Sequence, residues 1–294
     1  MRSPELCAGD IQAHIPGISD VAFIDRGGQK AVFACAIGGY RYALKLLCAE
    51  VDETEVAADA TERAIREVAT LRECQTPHLV QLGPYELTPV EIHGRAYLYF
   101  TEELVDGEDL RSVLRTGPLE AVAVARLGHE VSSAIGCLWE KRRIHRDVKP
   151  ANIMRRRADG SFVLLDVGLV FDLDETSLTL TGYIPGTLPY LSPERTDLSR
   201  KREIDFRSDL FSLGIVMYEA LTCVHPFRQG ASSSDEVLAN ILTGVPPPPS
   251  QVRSSATDLL DPAIMQLLAK RPHLRFRTVE RFQAALAETG LLQE

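Results

Sequence analysis

Before about residue 105, apolar positions come in short runs rich in β-branched and aromatic side chains: VAFI at 21–24, AVFACAI at 31–37, YRYALKLL at 40–47 and AYLYF at 96–100. Breaks containing glycine separate several of them, so the pattern predicts strands of an antiparallel sheet. One helix interrupts them, from about Ala57 to Cys74, with Ala60, Ala64, Glu67 or Val68, and Leu71 along its inward stripe. Beyond residue 105 the patterns lengthen. Leu127, Val131, Ala134 or Ile135, and Leu138 mark one amphipathic helix, and LFSLGIVMYEALT at 210–222 is apolar nearly all round, as in a helix buried on every side. SSDEVLANILTG, DPAIMQLLAK and TVERFQAALAE predict further helices, while the prolines at 246–249 and the serines near 250–257 predict a loop. The expected architecture is α+β: an N-terminal extension over 1–20, a small antiparallel β lobe with one helix over 21–105, and a larger, mainly helical lobe over 106–290.

Composition narrows the class of protein without naming its chemistry. With 45% hydrophobic and 25% charged residues, the 294-residue chain is too apolar for a disordered one. Its 32 Lys and Arg stand against 41 Asp and Glu, a net charge of −9 that excludes a general nucleic-acid binder held by phosphate neutralisation. The six cysteines are scattered without a CxxC pair, which predicts buried thiols in a reducing compartment. No stretch approaches the ~20 apolar residues that span a bilayer, and the first ten residues lack the apolar centre of a signal peptide. A cytoplasmic protein without a membrane segment is expected.

The densest chemistry lies in Ile144-His145-Arg146-Asp147-Val148-Lys149-Pro150-Ala151-Asn152. Asp147 and Asn152 converge on one site only if the backbone between them forms a tight loop, which Pro150 helps to fix. A carboxylate there accepts a hydroxyl proton, an ammonium offsets charge on a moving phosphoryl group, and an amide oxygen suits Mg²⁺. Singly these residues describe a polar turn after a helix; as H-R-D-x-K-P-x-N at this spacing they are specific. The string resembles the catalytic loop of eukaryotic-like (Hanks-type) Ser/Thr protein kinases. LAKRPHLRF and SPER have the style of bacterial members.

The resemblance covers roughly residues 21 to 290 and implies the bilobal protein kinase fold. It also implies transfer of the γ-phosphoryl group of ATP to Ser/Thr of proteins, with Mg²⁺ or, in its place, Mn²⁺. It makes Asp147 the catalytic base, places Lys149 on the γ-phosphate, and gives Asn152 to the metal. Asp166-Val167-Gly168, 19 residues after Asp147, stands where the family has Asp-Phe-Gly, with Asp166 as the second metal ligand. Val167 departs from the family's Phe. Lys45 in Tyr42-Ala43-Leu44-Lys45-Leu46 is the lysine that grips the α- and β-phosphates, with Glu67 as its partner; an edge-strand lysine and a surface Glu67–Arg63 pair are the plainer readings.

The nucleotide-covering loop is the least regular motif. Ile24 to Phe33 aligns with G-x-G-x-x-G-x-V, yet Asp25 takes the first glycine position and Lys30 the third. Gly27, Gly28 and Lys30 are expected over the phosphates, with Val32 and Ala43 on adenine. Lys30 would bring an ammonium toward the β- or γ-phosphate. Glu102 to Leu110 resembles the hinge: backbone groups of Glu103 and Val105 to adenine, Asp109 to the ribose, with Met154 completing the nucleotide-binding set. Aligned without gaps, Glu102 takes the gatekeeper position, where it could pair with Lys45 in competition with Glu67; a one-residue shift places Thr101 there instead.

From Asp166 the chain runs through Thr176, Ser177, Thr179 and Thr181 to Gly186-Thr187-Leu188-Pro189-Tyr190-Leu191-Ser192-Pro193-Glu194, which looks like an activation segment. The resemblance makes Thr187 touch the catalytic Asp and Lys, pairs Glu194 with Arg275, and has Asp209 hold the catalytic-loop backbone. Arg146 before Asp147 implies control by phosphorylation, with Thr179 and Thr181 as autophosphorylation sites. The partners implied are ATP, protein substrates and a transient homodimer for phosphorylation in trans. Any sensor or membrane anchor is expected outside this chain. Two rivals differ in class. A pseudokinase scaffold is favoured by Asp25, Lys30, Glu102 and Val167; a small-molecule kinase would carry a His-Gly-Asp-type loop and no GT…SPE segment.

Overall fold

The computed structural model describes residues 6–26, 30–48, 55–172, 188–196 and 198–292. The chain divides into two compact units, Met1–Val105 and Asp106–Glu294.

The first unit contains α1 (Ala8–His14), β1 (Ser19–Arg26), β2 (Lys30–Ile37), β3 (Tyr40–Cys48), α2 (Glu55–Glu73), β4 (Thr88–Ile92) and β5 (Arg95–Glu103). Its antiparallel sheet has the order β1-β2-β3-β5-β4. Tight hairpins set the registers. Gly38 and Gly39 take φ of 59° and 86° between β2 and β3, and His93 and Gly94 take 52° and 73° between β4 and β5. Two successive left-handed residues match the twist of the strands they join. In β3, Leu44 and Leu46 point to one face and Ala43 and Lys45 to the other, as strand alternation requires.

The Leu44 face forms a core with Phe33, Tyr97 and Tyr99, and it is closed by Ile11, Ile15 and Ile18. The stretch expected as an extension is therefore part of this unit: Ile11 and Ile15, one helical turn apart, are buried in the core. Helix α2 follows the expected stripe. Ala64, Glu67, Val68 and Leu71 are all buried, so the choice between Glu67 and Val68 resolves to both.

The second unit begins with β6 (Gly107–Asp109), α3 (Leu110–Leu114), α4 (Ala121–Glu140), β7 (Arg143–Ile144), β8 (Ile153–Arg156), β9 (Phe162–Leu164) and β10 (Phe171–Asp172). It continues with α5 (Pro193–Thr196), α6 (Phe206–Thr222), α7 (Ser234–Thr243), α8 (Pro249–Val252), α9 (Asp261–Leu267) and α10 (Val279–Glu288). The strands make two small antiparallel sheets, β6-β8-β9 and β10-β7. In α6 every residue except Arg207 and Glu219 is buried, as the unbroken apolar run predicts. Leu127, Val131, Ala134, Ile135 and Leu138 of α4 pack inward. The loop expected near 250–257 opens instead with α8, because a proline at the first helical position fits a helix start.

Candidate active site

In the first unit, β2, β3 and β5 bring one set of predicted residues to a single sheet face. Val32 pairs directly with Lys45 across β2 and β3, and Ala43 pairs with Glu102 across β3 and β5. Directly paired residues share a face, so Val32, Ala43, Lys45 and Glu102 lie together. Thr101 points the other way, where its hydroxyl donates to Tyr85 O and accepts from Tyr85 N. The register thus puts Glu102, and not Thr101, on the face that carries Lys45.

Lys45 is buried, and its Nζ donates to Glu67 Oε1 at 2.6 Å. Glu102 does not displace this pair as the sequence suggested. Its Oε2 lies 2.8 Å from the same Nζ, close enough for charge attraction though off the axis of a hydrogen bond. Burial pushes the Glu102 carboxyl above its ordinary range; Lys45 pulls it back down and Glu67 pushes it up again. Lys30, expected over the phosphates, stands 3.6 Å from Glu67 Oε1. At the end of β5, the Glu103 N–H donates to Gln81 O at 2.8 Å. Val105 is buried.

In the second unit, Asp147 is buried and its Oδ2 accepts from Lys149 Nζ and from Asn152 Nδ2, both at 2.8 Å. Asn152 Nδ2 also donates to Asp147 O at 2.9 Å. Two buried groups, Asp209 and His145, and the half-buried Arg195 hold the loop from outside this trio. Asp209 in the first turn of α6 accepts the N–H groups of His145 and Arg146 at 2.7 and 2.9 Å. The fully buried His145 accepts the Asp147 N–H on Nδ1 and donates from Nε2 to Leu165 O. Arg195 donates to Arg146 O.

His145 stood in the sequence motif without a role; one ring contact is to Asp147 N within the motif, and the other reaches Leu165 O, twenty residues on, which no local pattern signals. Arg146 and Asp166 take left-handed φ of 70° and 58°, a backbone cost of the kind that clusters at functional sites. Asp166 caps a single tight turn by accepting from Gly168 N.

The β8–β9 pairing brings Asn152 and Asp166 near one another, with Leu165 N donating to Asn152 O at 2.8 Å. With both amide hydrogens of Asn152 directed at Asp147, its Oδ1 is the atom left to accept. An amide oxygen and a carboxylate are the hard donors that Mg²⁺ takes, so this pair fits the metal. Asp109 caps α3, accepting from Ser112 N at 3.0 Å and Ser112 Oγ at 2.8 Å, and its register partner in β8 is the half-buried Met154.

Glu194 and Arg275 form the expected pair, two parallel contacts of 2.7 and 2.8 Å with no side-chain exposure. Burial alone would raise the Glu194 carboxyl, but Arg275 and then Ser208 hold it below its ordinary value. Gly27, Gly28, Thr179, Thr181 and Thr187 lie outside the described residues.

The chemistry available is therefore a buried, doubly held carboxylate beside a lysine and two oxygen donors, and separately a buried lysine shared by carboxylates. A family model described as "Protein kinase domain" matches residues 20–285. Among similar curated proteins, the serine/threonine-protein kinase PknH of Mycobacterium tuberculosis is 31% identical over 256 residues, covering 86% of this chain and 38% of its own. PknJ of the same organism is 32% identical over 251 residues, covering 83% and 40%. The serine/threonine-protein kinase pkn3 of Myxococcus xanthus is 36% identical over 199 residues, covering 64% and 36%. The chain thus spans about two fifths of the length of these relatives.

Proposed function

The chain belongs to the protein kinase domain family, and on that premise we propose that it transfers the γ-phosphoryl group of ATP to serine and threonine hydroxyls of proteins. The observation that carries this reading is the Asp147 carboxylate, buried yet held by Lys149 and Asn152 on one oxygen. A base so held accepts the substrate hydroxyl proton from a fixed position, and Lys149 beside it offsets charge on the transferring group. Asp209 and His145 keep the loop rigid by tying its backbone to α6 and to the stretch before Asp166.

Lys45, oriented by Glu67, holds the α- and β-phosphates, while Val32, Ala43 and the backbone of Glu103 and Val105 receive adenine. Met154 completes the base-binding set, and Asp109 reaches the ribose with lone pairs not used in capping α3. Asn152 and Asp166 hold Mg²⁺ or Mn²⁺, which neutralises charge on the phosphates when bound. Gly27, Gly28 and Lys30 cover the phosphates. Thr187 positions the base, and phosphorylation of Thr179 or Thr181 by a second copy pairs a phosphate with Arg146. The supply of ATP and six cysteines with no disulfide among them support a cytoplasmic setting. Among the described residues no helix is long and apolar enough to cross a membrane.

One observation favours a second reading, that of a scaffold without transfer: Glu102 and Lys30 crowd the lysine–glutamate pair. Incubation with labelled ATP and Mg²⁺ separates the two. Phosphate incorporated into the chain or a generic protein substrate should fall about 10³-fold in Asp147→Asn, within the usual range for losing a general base, and vanish in Asp166→Ala. Equal labelling of wild type and both variants would exclude the enzyme, and mapping of the label tests Thr179 and Thr181.

A further inference from the structure

The second unit carries an open cleft of about 670 Å³, bordered by the turn Leu198–Glu203, the start of α6, the end of α7 and the stretch between α9 and α10. Its charged lining is mostly basic, in a chain whose net charge is −9. Part of that charge is spent inside the cleft. Arg200 donates twice to Glu203 Oε2, at 3.2 and 2.7 Å. Lys270 Nζ donates to Ile241 O at 2.7 Å and to Asn240 O at 3.3 Å, closing the end of α7. Arg207 Nε stands 3.8 Å from Asp205 Oδ2, near enough for charge attraction and too far for a hydrogen bond.

Arg202 and Arg271 remain. Both are exposed, and neither side chain makes a hydrogen bond or an ion pair among the described residues. Arg207 adds a third guanidinium, whose Nε is buried without a hydrogen-bond partner, and a buried donor is costly to leave unmatched. A concave site focuses the field of the charges that line it. The planar guanidinium pairs with phosphate through two parallel N–H donors. Two guanidiniums without a carboxylate match a phosphomonoester, which carries about −2 at neutral pH; a carboxylate group would leave one of them unmatched. The cleft has room for the residues on either side of a phosphorylated one, more than a free phosphate ion fills. A membrane surface is flat and meets protruding cations, not a recess.

We propose that this cleft is a docking site for a phosphoserine or phosphothreonine of a protein chain, held by Arg202 and Arg271 with Arg207 as a further donor. That the phosphate sits on a serine or threonine rests on the transfer reaction proposed above, which makes such groups; the binding chemistry does not depend on it. The lining includes no residue of the Asp147 loop, so a docked phosphate leaves the base free.

Fluorescence anisotropy of the full chain without nucleotide tests it, using a short labelled peptide of glycine, alanine and serine that carries one phosphoserine, and its unphosphorylated twin. The phosphopeptide should bind at least about tenfold tighter than the twin. Arg202→Gln and Arg271→Gln should each weaken it about tenfold, the loss expected for one charge-assisted contact. The double variant should bind it no better than the twin. Both side chains are exposed, so these variants should fold with the wild-type Tm. Equal affinity for peptide and twin, or an unchanged affinity in the double variant, would overturn the proposal. Inorganic phosphate displacing the probe as well as unlabelled phosphopeptide does would overturn it in favour of a free-ion site. Co-sedimentation with phosphatidylglycerol vesicles that the double variant loses, with no preference for the phosphopeptide, would overturn it in favour of a membrane face. Phosphopeptide binding by a chain that transfers no phosphate would leave the docking site standing and overturn the transfer reading instead.

Discussion

Arg275 has no exposed side-chain surface and spends its guanidinium on Glu194, Arg207 O and Ala269 O, with its plane 4.7 Å from the Phe211 ring. Removing one member of so buried a pair leaves the other charge stranded. Arg275→Leu should cost about 3–5 kcal/mol of stability in urea unfolding, and the double variant with Glu194→Leu should recover part of that loss. Both partners were legible in the sequence because each sits in a motif of fixed spacing, SPE on one side and LAKRPHLRF on the other. Lys45, Glu67, Asp147 and Asn152 were legible for the same reason. Glu102 was not. Which of two adjacent residues faces Lys45 depends on the β3–β5 register, and one step of register exchanges the faces. Its contact with Lys45 alongside Glu67, rather than instead of it, requires two strands and a helix to be placed in space.

Among the elements, α6 shows how a helix apolar on all sides is packed. An added methyl at Gly214 would meet Leu267 Cβ of α9 at 2.7 Å, closer than side-chain atoms approach. Gly214→Ala should therefore lower stability by about 1–3 kcal/mol through overpacking, although alanine is the better helix former. A lower Tm without loss of helicity is the expected result, and an unchanged or raised Tm would contradict it.

The long periodic helices α4 and α6 were readable because periodicity accumulates over many residues. The elements that escaped notice are short. Strand β4 carries Pro89, which reads as a strand breaker. It is tolerated because β4 lies at the sheet edge, where a missing N–H leaves no neighbour unsatisfied. Helix α1 spans seven residues and offers only Ile11 as a buried position of its own, too little for a period to show.

For the molecule as a whole, pH acts on stability through His225. Its Nε2 lies 3.1 Å from Pro189 O and its Nδ1 accepts the Phe227 N–H at 3.2 Å, an arrangement only the neutral ring satisfies. Burial, and then Arg228, push its pKa down from 6.5 to about 4. The unfolded chain therefore binds this proton more readily, and stability rises with pH across that window. On acidification it should fall by on the order of 3 kcal/mol between about pH 7 and pH 4, and His225→Gln should flatten this part of the profile. An unaltered slope in the variant would show that other groups set it.

Recognisable kinship with the family begins at residue 20, but the first unit's core reaches back to Ile11. A lineage that joins or trims such domains at the point where sequences start to match would cut through Ile11, Ile15 and Ile18, baring the sheet face that carries Phe33 and Leu44. The portable piece, for evolution or for an engineer grafting it onto another protein, is set by where water is excluded and not by where the family match starts. Residues 8–18 thus close the core of this unit although they precede the family match.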